Sequence, residues 1–163
     1  MKIFPDAKYD NTLQNISVGS KEINAARVAF FLPGFVISTW APMIPMVKAR
    51  LNLEADVLGL LLLCIGISAF IFMPLAGALV QRFGCKKVVI TGATLMALIS
   101  VLLSCLPNIW SYAIALAFFG AVMGATDVSM NTNAVIVEKL AGRRLLSGMH
   151  AFWSIGCFAS AGL

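Results

Sequence analysis

The sequence predicts an all-α integral membrane protein, multi-pass and of the inner (plasma) membrane. Three observations carry that prediction: an extreme apolar content, long apolar segments separated by short loops, and basic residues confined to particular loops. Apolar side chains make up 60% of the 163 residues and charged ones only 12%. A soluble domain has roughly 45–50% and about 25%, respectively. A chain this apolar cannot cover its own surface with polar groups, so its solvent must be lipid. At about 20 residues per span plus short loops, the length holds four to five helices.

The elements follow in order. Residues 1–24 are mixed and turn-rich and read as a polar tail on the cytoplasmic side; no short apolar core with a small-residue cleavage site precedes the first span. The rest, 25–163, reads as a transmembrane bundle. Its first segment, about 25–47, contains Pro33, Gly34, Pro42 and Pro45 and is expected to be kinked and frayed toward its far end. Such breaks are tolerated in lipid only where neighbouring helices or a wet cavity satisfy the freed carbonyls. The second spans about 57–80 and the third about 88–106, where Pro107-Asn108 enforces a tight turn. The fourth runs over about 109–137. A fifth begins near 147 and reaches 163, so that Met149–Leu163 gives about 22 Å of helix against a hydrocarbon core of roughly 30 Å. The expectation is therefore four complete spans and a truncated fifth, with a re-entrant segment as the alternative.

Charge sets the orientation. Lys2, Lys8, Lys21, Arg27, Arg82, Lys86, Lys87, Lys139, Arg143 and Arg144 fall on one side of this arrangement, and only Lys48 and Arg50 on the other. By the positive-inside rule the N-terminus is cytoplasmic. The same distribution excludes nucleic acid as the reason for the net charge of +5, and it makes the sequon at Asn15-Ile16-Ser17 a cytoplasmic coincidence. Cys64, Cys85, Cys105 and Cys157 are scattered, without CxxC or a neighbouring histidine, so neither disulfide nor metal site is expected. No cofactor is implied. No P-loop occurs, which argues against an ATP-driven pump, and no HExxH, GxSxG or paired-aspartate signature supports an intramembrane enzyme.

The turn between the second and third segments reads Gly77-Ala78-Leu79-Val80-Gln81-Arg82-Phe83-Gly84-Cys85-Lys86-Lys87. It resembles the G-x-L-x-D-R-x-G-R-K/R loop signature of the major facilitator superfamily, at the place where that family carries it. The resemblance gives Gly77 a close helix approach, Gly84 the tight turn, and Arg82 and Lys86 an anchoring role at the inner interface. Two departures stand out: Gln81 replaces the family's acid and Cys85 its arginine, which weakens the charge latch that the acid makes with the other half of such proteins. Arg27, Phe30, Phe31, Gly34, then Trp40-Ala41-Pro42 and Pro45, are similar to the first helix of bacterial permeases related to fucose-type sugar transporters. Asp127 to Asn131, Glu138 and His150 are similar to their fourth helix and the start of the fifth. The resemblance covers about 27–163 and implies most of the N-terminal six-helix half of a twelve-helix parent, with inverted three-helix repeats. A C-terminal half would be the missing partner.

The fourth segment holds the polar residues of most interest. Gly120, Gly124, Asp127, Asn131 and Glu138 recur at helical spacing on one face. The two glycines form a GxxxG through which another helix can pack closely. Asp127 sits about ten residues, roughly 15 Å, before the cytoplasmic end of the span. A bare carboxylate there must face a wet cavity, pair with a cation or donor, or be protonated. Two readings stand: a proton-coupling or hydroxyl-accepting site with Asn131 as its neighbour, or a structural network between helices. Glu138 is expected to form a cytoplasmic gate salt bridge with Arg143 or Arg144. His150 is either structural or a proton relay, and Trp40 either stacks on a sugar face or anchors at the outer interface.

These features predict part of a secondary active transporter, moving a small polar solute such as a sugar by proton symport. Its partners would be the bilayer and that small-molecule solute. A drug-efflux relative is an alternative, and so is a non-transporting remnant or partner subunit.

Overall fold

The structure, a computed structural model, describes residues 18–162. Lys2, Lys8, the sequon at 15–17 and the rest of the tail up to residue 17 lie outside the described residues. Every regular element among the described residues is helical: α1 Ser20–Trp40, a 3-10 turn Ala41–Met43, α2 Ile44–Arg50, α3 Ala55–Phe83, α4 Cys85–Cys105, α5 Ile109–Ala141 and α6 Leu146–Ala161. α1 and α2 together form a run of 31 residues, and α3, α4 and α5 measure 29, 21 and 33. Each of these four runs reaches about 30 Å or more at the helical rise, the thickness of a hydrocarbon core. The chain is a multi-pass membrane protein.

α1 starts at Ser20, inside the stretch that reads as tail. The cause is local: the Glu22 carboxylate reaches back to accept from the Gly19 amide at 2.9 Å, which stabilises the first turn. The prolines act further along. Pro42 is the second residue of the 3-10 turn and Pro45 the second of α2, and the α-helical bonds that their missing amides cannot make are replaced by a tighter turn. The Ile44 amide bonds back to Ala41 in place of the α-helical pattern, and the helix resumes instead of fraying.

At the far end, Arg50 donates to the terminal carbonyls of α4, to Leu103 at 3.2 Å and to Ser104. A cation at a helix C-terminus meets the negative end of the dipole and satisfies orphan carbonyls. That contact gives one of the two basic residues at this end a structural reason to be there. Asn108 caps α5 by accepting from the Ser111 amide at 2.9 Å. Gly84 alone joins α3 to α4, at φ +81 and ψ 151.

The helices pack mainly as two pairs, α1 with α6 and α3 with α5, and α4 lies against α5. Close backbone approach makes the pairs possible. A Cβ on Gly120 or Gly124 would run into the α3 backbone at Ile65 and Ala69, and one on Gly34 or Gly156 would strike the backbone of the partner helix at Trp153 or Phe31. One core cluster centres on Trp40, Met96, Leu116 and Phe119, and a second on Ile23, Phe30, Met130 and Met149. Many other apolar side chains point outward, with Phe70 77% exposed and Phe158 85%. Outward-facing phenylalanines on a helix bundle are what a lipid solvent allows.

Candidate functional site: a methionine-lined cavity around Asp127

α5 is the central helix, buried on much of its circumference. Its GxxxG face presses on α3, and one turn further along, the same face opens onto a cavity of about 200 Å³. Residues from five helices line it: Pro33 and Ile37 of α1, Met73 of α3, Met96 of α4, Met123, Gly124, Asp127 and Met130 of α5, and Trp153 of α6. Among the described residues, Asp127 is the one charged residue in that lining.

The carboxylate is half-buried. Asn131, one turn on, donates from Nδ2 to the Asp127 carbonyl at 3.0 Å and more weakly to Oδ1 at 3.4 Å. The remaining acceptor capacity of the carboxylate has no protein donor among the described residues. His150 lies in the first turns of α6. Its exposed ring meets Phe30 edge-on, with centroids 5.0 Å apart. The Ser154 hydroxyl bonds the His150 carbonyl at 3.3 Å, not its imidazole. Asp127 and Asn131 are therefore in direct contact, while the His150 ring packs on Phe30.

Other candidates sit elsewhere. Trp40 is 7% exposed, inside the core and neither open to a ligand face nor placed at a lipid interface. Its indole N–H donates to Tyr112 Oη at 3.2 Å and its ring tilts against Phe119. Glu138 does not form the expected salt bridge with Arg143 or Arg144, both of which are exposed. Its Oε2 accepts from the backbone amides of Leu145 at 2.6 Å and Leu146 at 2.8 Å. Two orphan amides at the start of a helix are fixed donors already in position, whereas a solvated arginine must lose side-chain freedom to pair. Gly77 meets nothing within 4 Å of a built Cβ, so the close approach expected there is absent among the described residues. Gln81, Arg82, Gly84 and Lys86 are exposed at the α3–α4 turn.

Sequence reasoning missed the thioether wall. Met123 and Met130 flank Asp127 on α5, but Met73 and Met96 come from other helices, and no local spacing reveals their convergence.

Five membrane-length or near-membrane-length helices around a cavity with one carboxylate define a helical membrane protein with an internal polar site. A family model described as the Major Facilitator Superfamily matches residues 28–163. The chain is 43% identical over 149 residues to an uncharacterized MFS-type transporter of Yersinia pestis, covering 91% of this chain and 39% of that protein. It is 35% identical over 137 residues to membrane protein MosC of Rhizobium meliloti, covering 84% and 34%. An uncharacterized transporter of Sinorhizobium fredii is 36% identical over 132 residues, covering 81% and 35%. No solved structure matches. The chain belongs to the major facilitator superfamily, and it spans between a third and two-fifths of the length of these relatives.

Proposed function

We propose that the chain forms the front part of a secondary active transporter of the inner membrane, with its N-terminus cytoplasmic, that couples proton movement to a small solute at Asp127. One observation carries the reading: among the described residues, Asp127 is the sole charged residue lining the cavity where five helices meet. An ionised carboxylate in a membrane interior is costly, so a functional role is its default explanation. Proton binding removes that charge and lets the surrounding apolar wall close; proton release restores it and favours an open, hydrated site. Alternation between those two conditions is what coupling requires. The solute needs a hydrogen-bond donor or positive group for the carboxylate, and Asn131 offers further polar contacts to a hydroxylated molecule such as a sugar. A second half of similar size would supply the other wall, as the two-half architecture of such transporters implies.

The test is uptake of a panel of radiolabelled sugars and polyols by the intact transporter in vesicles with an imposed pH gradient. Asp127→Asn is expected to abolish the dependence on the gradient while leaving the protein in the membrane. Unchanged pH dependence in that variant would overturn the assignment.

The methionine lining favours a second reading, extrusion of an amphipathic cation. Thioethers are polarizable and adapt to irregular apolar shapes, while Asp127 would hold the positive group. Cells expressing the intact protein would then tolerate higher concentrations of a lipophilic cation, and Asp127→Asn would remove the tolerance. If neither uptake nor tolerance is found, the remaining reading is a non-transporting partner subunit.

A further inference from the structure

A second concavity, distinct from the Asp127 cavity, opens on the flank of the bundle between the end of α3 and the start of α4. It holds about 380 Å³ and is lined by Leu79 and Phe83 of α3, by Lys87, Thr91 and Leu95 of α4, and on its floor by α5 residues including Val122. Lys87, Thr91 and Leu95 recur every four residues, so they form one stripe down α4 with the ammonium at the mouth and the methyl groups at depth. Chemically the groove is graded: a cation at the end of the bundle, a hydroxyl next, then hydrocarbon.

Among the described residues, the cations at this end of the bundle lack a counter-charge. Lys86 and Lys87 sit in the first turn of α4, and the Arg82 guanidinium lies over the Phe83 ring, 5.4 Å from its centroid, which keeps it at the same rim. No acidic residue occurs anywhere from 57 to 126. Each described carboxylate is occupied or distant: Glu22 caps the Gly19 amide, Glu138 takes the α6 amides, Asp127 lines the cavity, and Glu54 and Asp56 lie at the opposite end of α3. The first-turn amides of α4 have no side-chain cap either, so the helix dipole adds to the positive field.

We propose that this groove binds an anionic glycerophospholipid, its phosphate at Lys87 with Lys86 and Arg82 alongside, and one acyl chain along Thr91, Leu95 and Val122. A cation cluster at the membrane interface attracts anionic lipid, and basic pockets between membrane helices take such headgroups. The apolar depth of the groove requires a ligand with a hydrocarbon tail, which a free phosphate lacks.

The experiment is native mass spectrometry of the full protein released from micelles doped with equal amounts of phosphatidylglycerol and phosphatidylethanolamine. The unaltered protein is expected to retain phosphatidylglycerol at least fivefold over phosphatidylethanolamine. Lys87→Gln should reduce that preference severalfold, and Thr91→Trp, which fills the groove and leaves every charge in place, should reduce total lipid retained. Lys48→Gln, at the other end of the bundle, should match the unaltered protein. Helical circular dichroism of each variant separates lost binding from lost folding. Equal retention of the two lipids, or retention unchanged by both groove variants, would overturn the proposal.

Discussion

Gly84 occupies φ +81 and ψ 151, a region that side-chain-bearing residues rarely enter, although a Cβ there would meet no neighbouring atom. The cost of replacing it is thus backbone strain alone, and Gly84→Ala should destabilise by about 1–3 kcal/mol, read as a lowered midpoint of unfolding in detergent. Glu138 gives a second residue-scale expectation. With its carboxylate removed in Glu138→Ala, the amides of Leu145 and Leu146 lose their acceptor, and hydrogen exchange at those two positions should accelerate. Glu138→Gln keeps a carbonyl oxygen and should restore part of the protection; an ion-pair role would predict no rescue by glutamine. Gly84 was legible because a glycine between two apolar runs has one cheap use, the turn. Glu138 was misread because neighbouring arginines are visible in the sequence while backbone amides are not, and only the folded turn over 142–145 brings those amides within reach.

At the scale of the helix pair, the same residue type takes opposite roles. Gly124 touches the α3 backbone at Ala69, whereas Gly66 and Gly77 of α3 meet nothing within 4 Å. Gly124→Val must force α3 away from α5, an overpacking cost typically of about 1–3 kcal/mol, and more where backbone is the obstacle. Gly66→Ala and Gly77→Ala face open space in a regular helix and should be neutral or stabilising by up to about 1 kcal/mol, the helix-propensity difference between the two residues. Thermal unfolding of the three variants in one detergent checks the contrast, and a destabilising Gly77→Ala would show that this glycine has a partner outside the described residues. The GxxxG of α5 announces a close neighbour, yet nothing local says that the neighbour is α3. The prolines announce a break in the first span, but its form, a 3-10 turn followed by a resumed helix, depends on where each missing amide falls in the next element.

For the whole molecule, apolar content and segment spacing suffice for a helical membrane bundle, because lipid leaves the backbone few other choices. The way the helices meet does not follow from spacing, and the Asp127 cavity depends on methionines from three helices. Orientation rests on charge. Lys21, Arg27, Arg82, Lys86, Lys87, Lys139, Arg143 and Arg144 belong to the end of the bundle that carries the Gly84 turn, against Lys48 and Arg50 at the other, where Arg50 is engaged with the α4 carbonyls. Two native cysteines allow a direct test, since α4 begins with Cys85 at the basic end and finishes with Cys105, exposed, at the opposite one. In versions retaining one cysteine each, a membrane-impermeant maleimide added to spheroplasts should label Cys105 and spare Cys85. In inverted membrane vesicles the pattern should reverse, with Cys85 labelled in proportion to its partial exposure. Helix α4 contributes no acidic residue and carries both its lysines at its first turn, so its own charge asymmetry favours the basic end inside. Labelling of Cys85 in spheroplasts would invert the orientation.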